Sequence, residues 1–149
     1  PLTHQRNNRH SPSPIAQVRD MAVASPKTSR ILIVEDEAGP REVLVTLLSQ
    51  IYQVYTADTA TSALRMLEQQ PVDLIIEDVG LPDRNGIDLL CELTSHSGTQ
   101  AKVIMVSGAG TVKSAQEAMS LGAVAYLLKP FNIEELLVLI HDTLTPRAA

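Results

Sequence analysis

The sequence is poor in cysteine and in aromatic residues. Its single cysteine, Cys91, excludes an internal disulfide framework and a CxxC metal site. One Phe, three Tyr and no Trp predict an aliphatic core, which suits parallel strands rich in Val, Ile and Leu. The chain also lacks an apolar run of the roughly 20 residues that a membrane span needs, and an apolar signal core near its start. We therefore expect a cytoplasmic protein with no membrane partner.

The charges are unevenly distributed along the chain. The 149 residues, 44% apolar and 19% charged, are typical of one globular domain. Residues 1–30 carry a net charge of +4 and residues 31–149 carry −9, within a total of −5. A body this acidic repels phosphates, so we expect no direct binding of nucleic acid by this domain.

The first 29 residues differ in composition from the rest. They contain four prolines, several serines and no apolar periodicity, which is typical of a disordered segment. Met21 is a plausible native start. A native tail, a linker from a neighbouring domain and an artificial extension all remain open. We expect a folded domain over residues 30–145 and a short C-terminal tail over 146–149.

Short apolar runs alternate with helical patterns from Arg30 onward. The predicted strands are 31–34, 52–56, 72–76 leading into Glu77-Asp78, 102–106 and 126–128. The predicted helices begin at Gly39-Pro40, near Ala60, after Asn85-Gly86, near Val112 and at Asn132, and Gly122 is the predicted cap after the fourth. Their apolar positions include Val43, Leu44, Leu47, Leu48 and Ile51 in the first helix, and Val112, Ala115, Ala118 and Met119 in the fourth. Asn132 with Glu135 three residues later predicts a capping box at the start of the last helix, with Asn132 as the cap.

Five strand–helix units in succession predict an α/β fold. Such alternation favours a doubly wound parallel sheet with helices on both faces. In sheets of this kind, ligands bind at the carboxyl ends of the strands. Functional side chains are therefore expected where the apolar runs end.

Polar groups do follow four of the five predicted strands. Glu35 and Asp36 follow the first, Asp78 ends the third, and Ser107 and Lys129 follow the fourth and fifth. Each of these alone is more typical of an ordinary loop or turn. Their joint placement at one edge of a parallel sheet favours a site.

The chemistry of this set indicates phosphoryl transfer. Three crowded carboxylates raise one another's pKa, and Mg²⁺, which prefers carboxylate, carbonyl and water oxygens, relieves the repulsion. The negative charges of Glu35, Asp36 and Asp78 are balanced by Lys129 and one divalent cation. Aspartate is a covalent phosphoryl acceptor, and the transfer needs mainly alignment and charge stabilisation. Ser107 can donate a hydrogen bond to a phosphoryl oxygen.

The chain resembles response-regulator receiver domains of two-component signalling. Five stretches carry the likeness: Ile-Leu-Ile-Val-Glu35-Asp36-Glu, Asp78-Val-Gly-Leu-Pro82-Asp-Arg-Asn-Gly86, Val-Ile-Met-Val-Ser107-Gly-Ala, Gly122-Ala-Val-Ala-Tyr126 and Leu-Leu-Lys129-Pro130-Phe131. The resemblance covers the folded body and implies a flavodoxin-like sheet of strand order 2-1-3-4-5.

The resemblance also implies roles for the residues at the strand ends. Asp78 is the expected acceptor of a phosphoryl group from a phosphohistidine, because the spacing to Leu81-Pro82 and Gly86 favours it over Glu77. Asp36, Asp78 and the Gly80 carbonyl are the expected ligands of Mg²⁺, for which Mn²⁺ can substitute, with Glu35 acting through water. Lys129 is expected to pair with the phosphoryl group, and the Lys129–Pro130 bond to be cis.

A switch and several partners are implied in the same way. Ser107 and Tyr126 are the expected switch pair, which changes the surface of the fourth helix, fifth strand and fifth helix. The alternative interpretation is that Tyr126 only packs in the core and takes no part in a switch. The expected partners are a sensor histidine kinase or a phosphotransfer protein, and a second copy of the chain on phosphorylation.

Two positions depart from relatives that hydrolyse their phosphoryl group quickly. Gly80 and Ala109 lie two residues after Asp78 and Ser107, where polar side chains in relatives can position the attacking water. We therefore expect slow autodephosphorylation.

Two alternative functions remain. An aspartate-nucleophile phosphatase of the haloacid dehalogenase type requires Asp-x-Asp after its first strand, and this chain reads Glu35-Asp36-Glu37. A pseudo-receiver would bind partners without being phosphorylated. The preferred interpretation is a signalling phosphoacceptor that catalyses only its own phosphorylation and dephosphorylation.

Overall fold

The computed structural model describes residues 29–95 and 99–145. Within them, five strands alternate with five helices. The strands are β1 (Arg30–Val34), β2 (Gln53–Ala57), β3 (Leu74–Asp78), β4 (Lys102–Ser107) and β5 (Ala125–Leu128). The helices are α1 (Ala38–Leu48), α2 (Ala60–Gln69), α3 (Gly86–Ser95), α4 (Val112–Ser120) and α5 (Ile133–Leu144).

The strands form one parallel sheet in the order β2-β1-β3-β4-β5. This confirms the predicted fold class and strand order. Val34 pairs with Glu77, Asp78 with Val106, and Ser107 with Leu128, so the carboxyl ends of β1, β3, β4 and β5 lie nearly level. The register therefore brings the residues that end these strands to one edge.

Each face of the sheet carries its own aliphatic core. The α1 and α5 side buries Ile31, Ile33, Leu44, Leu48, Ile76, Ile104, Leu136, Leu137 and Ile140, among others. The α2, α3 and α4 side buries Leu32, Val34, Ala60, Ala63, Ile75, Leu89, Leu90, Met105 and Ala118, among others. Strands β1 and β3 are covered on both faces, which explains why their sequences are continuous apolar runs without alternation.

Both predicted cap residues are confirmed, although Glu135 makes no reciprocal bond that would complete a capping box with Asn132. Gly122 has a φ of +106°, its N–H donates to Met119 O at 3.2 Å, and Ala123 N donates to Ala118 O at 3.0 Å. This arrangement is a Schellman motif, in which glycine avoids the strain of a left-handed conformation. At the start of α5, Asn132 Oδ1 accepts from Glu134 N at 2.8 Å and from Glu135 N at 3.4 Å.

Several predicted details were wrong at the edges of elements. Helix α1 ends at Leu48, so Ile51 is buried in the following turn, and β3 begins at Leu74. Val43 is 57% exposed and Val112 is 77% exposed, although periodicity placed both on apolar faces. Apolar periodicity cannot distinguish a helix residue that packs against the sheet from an apolar residue that lines a groove or lies on the surface.

The predicted tails fall almost entirely outside the described residues. Of the segments 1–29 and 146–149, only Ser29 is described. Among the described helices, none is long and apolar enough to cross a membrane.

Candidate functional site

The ends of three strands, β1, β3 and β5, converge on a cluster of charged side chains. Lys129, directly after β5, places Nζ 2.8 Å from Glu35 Oε1 and 2.5 Å from Asp78 Oδ2. Glu35 is 3% exposed and Asp78 is 8% exposed. One ammonium therefore bridges two buried carboxylates that come from different strands.

Asp36 extends this cluster toward solvent. One carboxylate oxygen from each of Glu35, Asp36 and Asp78 lies within 4.8 Å of the other two, and Asp36 itself is exposed. The Gly80 N–H donates to Asp78 Oδ1 at 2.7 Å. The structure therefore brings all four predicted cation-binding residues into one locality, while the role of the Gly80 carbonyl stays a prediction.

The protonation of the cluster follows from burial and close contact. Burial raises the pKa of Glu35 to about 7, and the neighbouring Asp78 adds to the rise. Burial also opposes ionisation of Asp78, but hydrogen bonds with Glu35, Lys129 and the Gly80 N–H outweigh it and lower its pKa. Partial burial disfavours the Lys129 ammonium, but its contacts with Asp78 and Glu35 prevail and raise its pKa.

The donor set fits a hard divalent cation. Glu35 Oε2 is buried and has no hydrogen-bond partner among the described residues, which is costly for a polar atom. One lysine cannot neutralise three carboxylates. A cation with bound waters would supply both the missing charge and the missing donors.

Ser107 and Tyr126 make separate contacts. Ser107 is buried, its Oγ accepts from Ala109 N at 3.2 Å, and its carbonyl accepts from Lys129 N at 2.7 Å. The Tyr126 hydroxyl shares a hydrogen bond of 3.1 Å with Ser114 Oγ, and its ring packs against the α2, α3 and α4 core. A Cβ at Gly110 would lie 2.7 Å from ring atom Cε1 of Tyr126, so this ring position requires glycine there.

The segment after Asp78 is packed tightly against α3. Gly86 N donates to Val79 O at 2.8 Å, and a Cβ at Gly86 would collide with Asp78 O and lie 2.7 Å from Val79 Cα. Glycine is therefore needed for this close approach. The Lys129–Pro130 bond is cis, as expected.

Glu77 is adjacent to Asp78 but lies on the opposite face of the sheet. It is fully buried, and both of its carboxylate oxygens lack hydrogen-bond partners among the described residues. Burial raises its pKa well above the ordinary 4.5, with opposition from Arg84 and a further rise from Asp78. Successive strand residues point to opposite faces, so of these two adjacent acids Asp78 contacts Lys129 and Glu77 does not.

Two residues near the site were missed by sequence reasoning. Arg41 Nη1 donates to the carbonyls of Glu35 at 2.9 Å and Asp36 at 3.3 Å. The Asp83 carboxylate accepts from Ala60 N, Thr61 N and Thr61 Oγ1, each at 2.9 Å. The backbone N–H groups of Ala60 and Thr61 lower the pKa of Asp83 to about 2.

Only Arg41 had a signal in the sequence. A cation in the first turn of a helix opposes the helix dipole, so an arginine there, after the three acids at 35–37, indicates another role for its charge. Asp83 reads as an ordinary turn residue after proline.

Comparison with known proteins identifies the family. The family model described as the response regulator receiver domain matches residues 31–141. The chain therefore belongs to the response regulator receiver domain family. Members of this family act in two-component signalling.

Curated relatives support the assignment over part of their length. The chain is 38% identical over 109 residues to the transcriptional regulatory protein KdpE of Staphylococcus aureus (strain NCTC 8325 / PS 47), covering 72% of this chain and 46% of the relative. It is 33% identical over 117 residues to the regulatory protein AtoC of Escherichia coli (strain K12), covering 78% and 25%. The chain thus spans less than half the length of these relatives.

Solved structures share the fold. A CheY-like response regulator receiver domain protein from Methanospirillum hungatei JF-1 is 33% identical, with a TM-score of 0.70 and coverage of 76% of this chain and 91% of that one. The beryllofluoride-activated NtrC4 receiver domain dimer is 30% identical, with a TM-score of 0.71 and coverage of 76% and 94%.

The buried Glu77 generates a prediction about stability and pH. The unfolded chain ionises Glu77 at its ordinary pKa, whereas the folded chain holds the proton, so stability falls as pH rises above about 4.5 until the folded-state pKa is reached. Glu77→Gln removes this loss. Between pH 4.5 and the folded-state pKa, we expect the advantage of Glu77→Gln over the parent in unfolding free energy to grow by up to about 1.4 kcal/mol per pH unit.

Denaturant unfolding across this pH range measures the difference between parent and variant. Glu68→Gln, on the exposed side of α2, is the matched control and should show no such growth. A difference between Glu77→Gln and the parent that stays constant with pH would contradict the prediction.

Proposed function

We propose that Asp78 accepts a phosphoryl group from a partner's phosphohistidine, within a receiver domain formed by residues 30–145. The observation that carries the proposal is the contact of Lys129 with Asp78 and Glu35 at the carboxyl edge of the sheet. This contact holds an ionised aspartate beside the Lys129 ammonium, which can also stabilise the negative charge of phosphoryl oxygens once they are bound. We place this exchange in the cytoplasm.

The chemical step is a displacement at phosphorus. An Asp78 carboxylate oxygen forms the new O–P bond as the P–N bond to the partner histidine breaks, and the electron pair stays on the imidazole nitrogen. Lys129 supplies positive charge to the phosphoryl oxygens, and the Ser107 hydroxyl supplies a hydrogen bond. Bound Mg²⁺ or Mn²⁺ would supply charge neutralisation and alignment. Asp36, Asp78 and the Gly80 carbonyl would hold it directly, with Glu35 acting through water.

The signal would be transmitted through Ser107 and Tyr126. Ser107 ends β4, and Tyr126 in the adjacent strand β5 reaches Ser114 in α4. Movement of Ser107 toward a phosphoryl group would leave space for the tyrosine ring to shift and would change the surface of α4, β5 and α5. Exposed apolar residues are present there, namely Val112, Met119, Leu128 and Val138.

This surface is our proposed interface for a second copy or another output partner. The similar NtrC4 receiver domain is a dimer in its beryllofluoride-activated form. The curated relatives are named as regulatory or transcriptional regulatory proteins, so control of transcription is one output consistent with this chain.

A second surface suits the phosphodonor protein. An apolar cavity of about 480 Å³ opens beside the site. Its lining includes Pro40 and Val43 of α1, Lys129 and Phe131 between β5 and α5, and Ile133 at the start of α5. This cavity accounts for the exposure of Val43. An apolar side chain on the donor could fill it while the phosphohistidine approaches Asp78.

Slow loss of the phosphoryl group is part of the proposal. Gly80 and Ala109 are both exposed and offer no polar side chain to a water attacking the acyl phosphate. A Cβ at Gly80 would lie 3.5 Å from Asp78 Oδ1, an ordinary contact, and its φ is not in the left-handed region. A longer polar side chain can therefore be introduced there.

The first prediction concerns the acceptor itself. The parent should incorporate one phosphoryl group from acetyl phosphate with Mg²⁺, and Asp78→Asn should incorporate none, because the amide is not a nucleophile. Intact mass spectrometry measures both, with Glu77→Gln as the matched control that retains incorporation. No incorporation in the parent would favour a pseudo-receiver, and multiple turnover of p-nitrophenyl phosphate would favour a phosphatase.

The second prediction concerns hydrolysis. Gly80→Asn should speed autodephosphorylation roughly tenfold, equivalent to about 1.4 kcal/mol in the barrier, because its amide can position water. Loss of the phosphoryl group is timed after acetyl phosphate is removed, and Gly80→Ala is the control without a polar group. Parent hydrolysis as fast as in chemotaxis regulators, or equal rates in the Asn and Ala variants, would contradict the proposal.

The third prediction concerns docking of the donor. Once phosphotransfer profiling has found a phosphodonor protein, Val43→Asp should lower kcat/KM for transfer by about tenfold or more, because a carboxylate would be desolvated at the interface. Phosphorylation by acetyl phosphate should be unchanged. Val112→Asp, on the exposed side of α4, is the matched control. Equal loss with both phosphodonors would place the defect in the site and not in docking.

A further inference from the structure

The start of α1 differs from the other helix starts in the described ranges. Helices α2 and α4 begin with reciprocal capping boxes at Thr59 and Thr111, and α5 begins with Asn132 as a cap. At the start of α3, Asn85 Oδ1 accepts from Ile87 N at 2.8 Å. Glu37, which precedes α1, makes no side-chain capping bond. The turn between β1 and α1, which carries Glu35 and Asp36, therefore lacks the usual local restraint.

Arg41 supplies a restraint of another kind. Its Nη1 donates to Glu35 O at 2.9 Å and to Asp36 O at 3.3 Å. These carbonyls belong to the two peptide groups on either side of the Asp36 Cα. Holding both peptide planes limits φ and ψ of Asp36, and thereby the direction of its Cβ. On the other side of the turn, Glu35 N is held by Ala57 O at 3.0 Å.

The position of Asp36 depends on this backbone restraint. Its side chain is exposed and makes no hydrogen bond to another described residue, unlike Glu35 and Asp78, which Lys129 holds. Of the three carboxylates in the cluster, Asp36 is therefore the one placed by the backbone alone.

We propose that Arg41 is a positioning residue for the cation site, holding the two peptide groups around Asp36 so that its carboxylate faces Glu35 and Asp78. The inference rests on the proposed function, because it takes this carboxylate cluster to bind Mg²⁺. Arg41 acts through the backbone and contacts neither the cation nor the phosphoryl group.

The sign of the effect separates positioning from simple charge. A guanidinium near a cation site repels the cation, so its removal would tighten Mg²⁺ binding if charge were its only influence. If Arg41 positions Asp36, its removal should weaken binding despite the more negative site. The two interpretations predict opposite changes in the same equilibrium constant.

The experiment measures Mg²⁺ affinity of the whole chain by isothermal titration calorimetry, with Mn²⁺ as a second probe. We expect Arg41→Ala to weaken binding roughly tenfold, a typical effect of losing a residue that orients a metal ligand. The Mg²⁺ affinity of Arg41→Lys should lie between those of Arg41→Ala and the parent, because lysine keeps the charge and one donor group. Arg65→Ala, on the exposed side of α2, is the control and should bind as the parent does.

A second readout follows the backbone without any cation. Amide exchange at Glu37 and Ala38 should accelerate in Arg41→Ala, while exchange in the central strands and thermal unfolding show that the variant is folded. If Arg41→Ala does not fold, the comparison of Arg41→Lys with the parent carries the test. Unchanged or tighter Mg²⁺ binding in the folded variant overturns the positioning role.

The same titration distinguishes failure of the inference from failure of the proposed function. Asp36→Asn should weaken binding in any case if the cluster is the cation site. A parent that binds no Mg²⁺ overturns the proposed function together with the inference. Binding that Asp36→Asn removes and Arg41→Ala leaves intact overturns the inference alone.

Discussion

The site depends on the attraction of one ammonium group for two buried carboxylates. Lys129 contacts Glu35 and Asp78, which lie at the ends of β1 and β3, while Lys129 itself follows β5. Without Lys129, two buried carboxylates this close would repel each other, and the repulsion would raise their pKa values. The single positive charge is insufficient for the whole cluster, which is why Glu35 retains a raised pKa and an unpartnered oxygen. A site left short of positive charge is suited to binding a cation and, with it, a phosphoryl group.

The aliphatic cores make this arrangement possible. Burying a carboxylate is unfavourable, and Glu77 adds a further buried acid that contributes no contact to the site. The cost is offset by strands β1 and β3, whose side chains are covered on both faces by helices. The parallel register then determines which polar residues meet, because the strands end nearly level. Charge at the edge and hydrophobic packing in the interior are therefore two results of the same sheet.

The features predictable from the sequence were those that depend on chain order and local pattern. Apolar runs give the strands, alternation gives the parallel sheet, and strand ends give the positions of Glu35, Asp78 and Lys129. The Gly122 cap was predictable because it needs only local backbone geometry. The sequence shows that Arg41 is unusual for the first turn of a helix, but neither its contacts nor those of Asp83 were predictable. Each joins a side chain to backbone atoms whose positions depend on the folded chain. The exposure of Val43 escaped periodicity for a related reason, since a groove wall and a core are equally apolar.

Glu77 and Asp78 show how strongly position decides the chemistry of a carboxyl group. Successive residues of β3 point to opposite faces. Asp78 meets Lys129 and the Gly80 N–H, which lower its pKa against the effect of burial, whereas Glu77 meets an apolar core and its pKa rises. The contacts of Asp78 therefore favour its ionised form, whereas burial of Glu77 favours its neutral form. A register shift of one residue would exchange their faces and remove the site. The close packing of Gly86 against Asp78 and Val79 opposes such a shift, because this approach leaves no room for a side chain. The position of Asp78 beside Lys129 thus depends on the whole packing around β3 and not on its acidic side chain alone.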